Sequence, residues 1–141
     1  MNEHYFENIS SIEELIMAER NGFNVEFKTS RPEMPAANLL HESARKCNIA
    51  LLDYLLIYRN MDFNQLDEDE CSPLGYVLND DLLVELKNGE TTTVNEGCND
   101  ASKILQSIEI LKSNGAECIY NGELYNEKWI DQYIVVLKKQ L

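Results

Sequence analysis

At 141 residues with 44% hydrophobic residues, the chain is long enough to build one domain around a core that needs no staple, and no apolar run approaches the ~18 residues of a membrane span. Its 25 acidic against 12 basic residues give a formal net charge of -13, which disfavours direct contact with nucleic acid phosphates or anionic lipid and favours a basic protein partner. The cysteines Cys47, Cys71, Cys98 and Cys118 are widely spaced with no C-x-x-C pair, an arrangement that argues against a zinc knuckle or a redox motif.

The first residues lack the basic start, apolar stretch and small-residue cleavage site of a signal peptide, so the expected location is the cytoplasm, with the cysteines as reduced, largely buried small hydrophobes. Residues 1–9 read as a polar lead-in whose Tyr5 and Phe6 cover the first helix. Ser11 and Glu14 offer a capping box. The helix they open carries Ile12, Leu15 and Ile16 at helical spacing and ends at Asn21-Gly22. An extended loop, 23–27, follows. Pro32 and Pro35 make 31–35 a stiff connector.

Helices are expected over 36–46, with Leu39, Leu40, Ser43 and Ala44 as a narrow, small-residue inner face, and over 49–58, a more hydrophobic helix carrying Ile49, Leu51, Leu52, Leu55, Leu56 and Tyr58. The loop 60–71 between that pair and the next helix carries Asp62, Asp67, Glu68, Asp69 and Glu70 and no positive charge. A solvated turn is the plain reading, but close carboxylates repel one another, and that cost suggests a use. Ser72 as N-cap and Pro73 at the first helical position start a helix running to about Leu78. Asn79, Asp80 and Asp81 interrupt it, 82–87 either prolongs it or forms a separate turn, and 88–99 has loop composition. A helix from Asp100 to Asn114-Gly115 buries Ile104, Leu105, Ile108 and Leu111. A short loop, 116–121, carries Cys118 and Ile119, and a last helix over 127–139 presents Trp129, Ile130, Tyr133, Ile134, Val136 and Leu137, with Lys138 and Lys139 at its C-terminal end.

Three segments share one layout: Leu15-Ile16 to Val25, Leu55-Leu56 to Asn64, and Ile110-Leu111 to Cys118. Each closes an apolar helix with Asn or Gly and enters a short loop. Ser72-Pro73-Leu74-Gly75-Tyr76-Val77, Leu40-His41-Glu42-Ser43-Ala44 and Asn60-Met61-Asp62-Phe63-Asn64 resemble the helix start and the loop of the ankyrin repeat, with Gly75 standing where that family has His. The resemblance is good over 36–81, fair over 102–121 and weak over 12–27, and it lacks the family's glycines at Cys47 and Glu70. It implies an all-α, helix-loop-helix solenoid of about three units: a partial unit at 12–27, a full unit at 36–68, a second unit at 69–121 with an insertion near 82–101, and a C-terminal capping helix within 122–141. His41, near a helix start, would tie one unit to the next.

Only two histidines are present, and no phosphate-binding glycine loop, G-x-S-x-G elbow or H-E-x-x-H motif occurs, so no enzyme and no cofactor or metal is expected. A Cys–His pair can be drawn from His41 and Cys47, but a buried thiol and a structural His explain them more simply. Tyr54, Tyr58 and Tyr76 are candidate aromatic anchors or core residues. The resemblance implies protein recognition, with Asp62, Asp67, Glu68, Asp69, Glu70, Asp80 and Asp81 as the partner-binding carboxylates. Small size and acidity then suggest an immunity protein or antitoxin occluding a basic toxin such as a nuclease. An ankyrin-like adaptor or host-directed effector is the alternative, and a small enzyme the remote one.

Overall fold

The computed structural model describes residues 2–78, 97–98, 100–139 and 141. Within them the elements follow in the order α1 Asn2–Asn8, α2 Ile12–Arg20, α3 Leu39–Arg45, α4 Ile49–Ile57, α5 Pro73–Val77, α6 Ala101–Ser113, β1 Cys118–Tyr120, β2 Glu123–Tyr125 and α7 Glu127–Lys138. The expectations for Asp80, Asp81, the run 82–87 and most of 88–99 lie outside the described residues.

Most of these helices span only five to nine residues, below the ~12–15 at which an isolated helix becomes even marginal in water. Their stability must come from caps and packing. Each helix from α2 onward starts on a side chain that accepts a backbone N–H: Ser11, Asn38, Asn48, Ser72, Asp100 and Asn126. Each cap contributes about 1 kcal/mol. Asn38 also corrects the expected start of the second helix, because its extended backbone and its bond to the His41 N–H fix the first turn at Leu39 rather than at 36. Glu14 reaches back past the cap to the backbone and hydroxyl of Ser10.

Packing then joins the short pieces. α3 lies against α4 and α5, these two lie against α6, and α6 against α7, while α2 leans on α4. Leu39, Leu40, Leu52, Leu55, Leu74, Ile104, Ile108 and Leu111 are fully buried at this junction, each contributing about 1.5–3 kcal/mol through removal from water. The lead-in is itself a helix, α1. Its Phe6 is buried, edge-on to Phe27 and covered by the Arg31 guanidinium 5.1 Å from the ring centre. Among the described residues no helix is long and apolar enough to cross a membrane.

The expectation of an all-α, helix-loop-helix solenoid is corrected by β1 and β2, which pair antiparallel with Cys118 opposite Tyr125, Ile119 opposite Leu124 and Tyr120 opposite Glu123. Asn121 and Gly122 between them have φ of 50° and 78°, the two left-handed residues that a tight hairpin turn needs to match strand twist. The helical periods on either side drew attention away from this Asn-Gly pair.

The hairpin is held against α5. Ser72 donates its N–H to the Ile119 carbonyl (2.9 Å) and its hydroxyl to the Glu117 carbonyl (2.7 Å), and its oxygen accepts the Ile119 N–H (3.0 Å). A Cβ at position 75 would run into the Ile119 carbonyl. Gly75, a departure from the ankyrin pattern, is therefore the residue that lets α5 lie directly on β1.

Candidate protein-binding edge

A buried polar seam sets the position of the acidic loop. His41 is fully buried. Its Nδ1 accepts the Asn38 N–H (3.1 Å) and its Nε2 lies 3.1 Å from the Cys71 carbonyl, so the ring carries its proton on Nε2 and donates it there. Burial holds its pKa below the ordinary value, against the pull of nearby Asp67, and the neutral ring joins α3 to the end of the loop. This is the tie between neighbouring segments expected of His41. The rings of His41 and Tyr76 meet edge-on at 4.9 Å.

Asp67 completes the seam. It is 7% exposed. One carboxylate oxygen accepts the backbone N–H groups of Asp69 (2.9 Å) and Cys71 (2.8 Å), and the other accepts the Tyr76 hydroxyl. Burial and this acceptor push the Tyr76 phenol well above its ordinary pKa, which keeps it a donor. Asp67, expected among the partner-binding residues, therefore faces inward and closes the turn. Tyr76 belongs to the same seam.

The other acidic residues divide differently. Glu68, Asp69 and Glu70 are exposed, on a turn whose tip is fixed by Asp67 and by a left-handed Glu70, φ 60°. Asp62 is exposed and caps its own turn by accepting the Asn64 N–H (2.9 Å). Glu33 and Glu117, also exposed, sit on the loops to either side. Glu68 donates its N–H to the Pro35 carbonyl (2.8 Å), the Glu117 N–H reaches Asn64 Oδ1 (2.8 Å), and the Gly122 N–H reaches the Glu70 carbonyl (3.0 Å). Three loops are thus sewn side by side, and Glu33, Asp62, Glu68, Asp69, Glu70 and Glu117 lie along them. No ion pair to these six forms among the described residues. Glu33 and Glu117 were not singled out in the sequence, where one lies in a proline-flanked connector and the other stands alone beside Ala116.

Several of the described cations are paired with other carboxylates. Glu42, 4% exposed, meets Arg45 (2.7 Å), Arg31 (3.1 Å) and Lys46 (3.4 Å). Burial pushes its carboxyl up, but the Arg45 hydrogen bond and the three positive charges outweigh that and hold its pKa below the ordinary value. Arg59 is paired with Glu19. Arg31, Arg45, Lys46 and Arg59 are thus paired with Glu42 and Glu19 and not with the edge.

Both nitrogens of His41 are committed to Asn38 and Cys71, and the Cys47 thiol, pushed up to about 12 by burial, bonds Ser107 and Cys98. His41 and Cys47 therefore do not act on one another. No group of three His, Cys, Asp or Glu among the described residues is placed to hold a metal ion. A shallow groove of about 200 Å³ lies between α1 and α2, lined by Tyr5, Ile9, Met17 and Ala18 with Asn8, Glu14 and Asn21. Tyr54 and Tyr58 stack on one another at 5.6 Å on α4, with Tyr58 exposed, and neither joins the loops. Comparisons with protein-family models, curated proteins and solved structures find no match to this chain, so the sewn acidic edge and its geometry carry the functional reading.

Proposed function

We propose that this chain is a protein-binding inhibitor, an immunity protein or antitoxin that neutralises a basic toxin, for example a nuclease, by occluding its active surface. The observation behind this reading is the row Glu33, Asp62, Glu68, Asp69, Glu70 and Glu117 on loops joined by their own backbones, with no paired cation among the described residues. A surface that binds a polyanion is basic. A row of carboxylates carried by fixed loops meets it with complementary charge and little ordering cost. The formal net charge of -13 adds long-range steering, which raises association rates in low salt. The resemblance of 36–81 to ankyrin repeats, a family of protein binders, supports the same reading. A cytoplasmic site of action accords with four buried thiols.

The test is copurification with a basic protein encoded beside this chain, across a salt series. Replacing Glu68, Asp69 and Glu70 together by Ser, with Asp67 left in place, is expected to weaken capture by about 10²-fold and to flatten its salt dependence. Unchanged capture and an unchanged salt slope would sink the proposal. Binding without any inhibition of the partner would favour an adaptor over an inhibitor.

A further inference from the structure

The hairpin has two edges, and they are used differently. Ile119 and Leu124 face one another across the ladder. In a hairpin closed by a two-residue turn this is a pair whose backbone groups point away from each other. On the β1 side, the outward N–H and C=O of Ile119 are both taken by Ser72. On the β2 side, the corresponding groups of Leu124 have no partner among the described residues.

The side chain of this residue is exposed as well. Leu124 is 58% exposed, while its neighbours in the hairpin, Cys118 and Tyr125, are 1% and 8% exposed. Proteins usually blunt such an edge with short strands, charged side chains, a proline or a bulge; β2 is three residues long and carries Glu123, but it has no lysine, proline or bulge. Carboxylates stand nearby: Glu123 on β2 itself, which accepts the Tyr125 hydroxyl (3.2 Å), and two members of the acidic row, Glu70, which packs over Gly122 in the turn, and Glu117, which immediately precedes the hairpin.

We infer that β2 is a docking edge, to which an extended, lysine- or arginine-bearing segment of the captured protein adds as a third strand beside Leu124. This rests on the protein-binding reading above and names the form that the partner takes. Strand addition draws affinity from main-chain hydrogen bonds and specificity from alternate side chains. One face of the incoming strand would place an apolar residue on Leu124, and its cations would meet Glu70 and Glu117. Charge also decides against a second copy of this chain as the occupant, because two such acidic edges repel.

The probe is an octapeptide of alternating lysine and valine with blocked ends, titrated into the full chain. Amide resonances and hydrogen exchange are followed at Leu124 and at Glu68, Asp69 and Glu70. Bound peptide should shift the Leu124 amide and slow its exchange, and Leu124→Pro, which removes that N–H, should weaken binding about tenfold. Leu124→Ala, which keeps the backbone, should cost about threefold and guards against a proline variant that fails to fold. Unaltered Leu124 exchange at saturation would overturn the inference while leaving charge attraction intact, and so would wild-type affinity in a folded Leu124→Pro variant. If the Glu68, Asp69 and Glu70 to Ser variant binds as well as the parent but Leu124→Pro does not, strand addition stands and the charge reading falls. Protection of Leu124 without peptide that grows with protein concentration would assign the edge to a second copy and overturn the basic partner. No binding at millimolar peptide would also overturn it.

Discussion

Asp67 and Glu70 are three residues apart in one acidic run, yet they belong to regions with opposite tasks. Asp67 sits in the seam of Asn38, His41, Cys71 and Tyr76, where every oxygen is used and no cation is involved. Glu70 stands on the loop edge with its side chain over the hairpin turn and its backbone bonded to Gly122. A carboxylate enclosed by N–H and O–H donors has every acceptor site used inside the fold, whereas one in water keeps acceptor sites open to solvent. The seam therefore determines where the edge is, and the edge determines what the chain attracts.

The largest expected effect tests that division. Asp67→Ala leaves two backbone N–H groups and the Tyr76 hydroxyl without their acceptor, which should destabilise the chain by about 3 kcal/mol in urea unfolding. The Ser replacement of Glu68, Asp69 and Glu70 should move stability by less than about 0.5 kcal/mol. Equal losses for the two variants would erase the distinction between seam and edge. Next in size, Gly75→Ala pushes a methyl into the Ile119 carbonyl and should cost about 2 kcal/mol, with the hairpin amides losing hydrogen-exchange protection before those of α4.

A smaller effect comes from pH. His41 and Glu42 both have folded pKa values below their ordinary values of 6.5 and 4.5. The unfolded chain therefore takes up each proton first, so the contribution is complete above the ordinary value and is lost as pH falls towards the folded one. Urea midpoints should drop as pH falls below 6.5 through His41, and again below pH 4.5 through Glu42. In a His41→Gln variant the upper of these two drops should disappear; if it persists, His41 is not its source. The smallest effect is Glu70→Gly, which relieves a left-handed backbone at φ 60° and should gain about 0.5 kcal/mol in thermal unfolding while removing one edge carboxylate.

Much of the helical content was legible because Leu and Ile recur at helical spacing in α4 and α6 and because Ser11, Ser72 and Asp100 announce helix starts. The tie made by His41 could be read from its place in a helix start. The hairpin escaped because its strands are three residues long, too short for alternation to register, although Asn121-Gly122 is a strong turn signal. Asp67 could not be told from Glu68 by composition, since a run of carboxylates carries no mark of which one the chain folds around. Likewise, Glu33 and Glu117 join the row only through the bonds of Glu68 to Pro35 and of Glu117 to Asn64, which link loops far apart in sequence.

The glycines that the ankyrin pattern would place at Cys47 and Glu70 are absent, yet both residues adopt left-handed φ, at 51° and 60°, as do Ala36, Asn60 and Asn121. A side chain in that conformation costs about 1 kcal/mol, so these bends persist only while their neighbours hold them. Ala36 is held through Thr29, Glu70 through Gly122, and Asn121 through Cys71. Releasing one loop removes support from the next, so the loops are expected to open and close together in hydrogen exchange, as one cooperative unit.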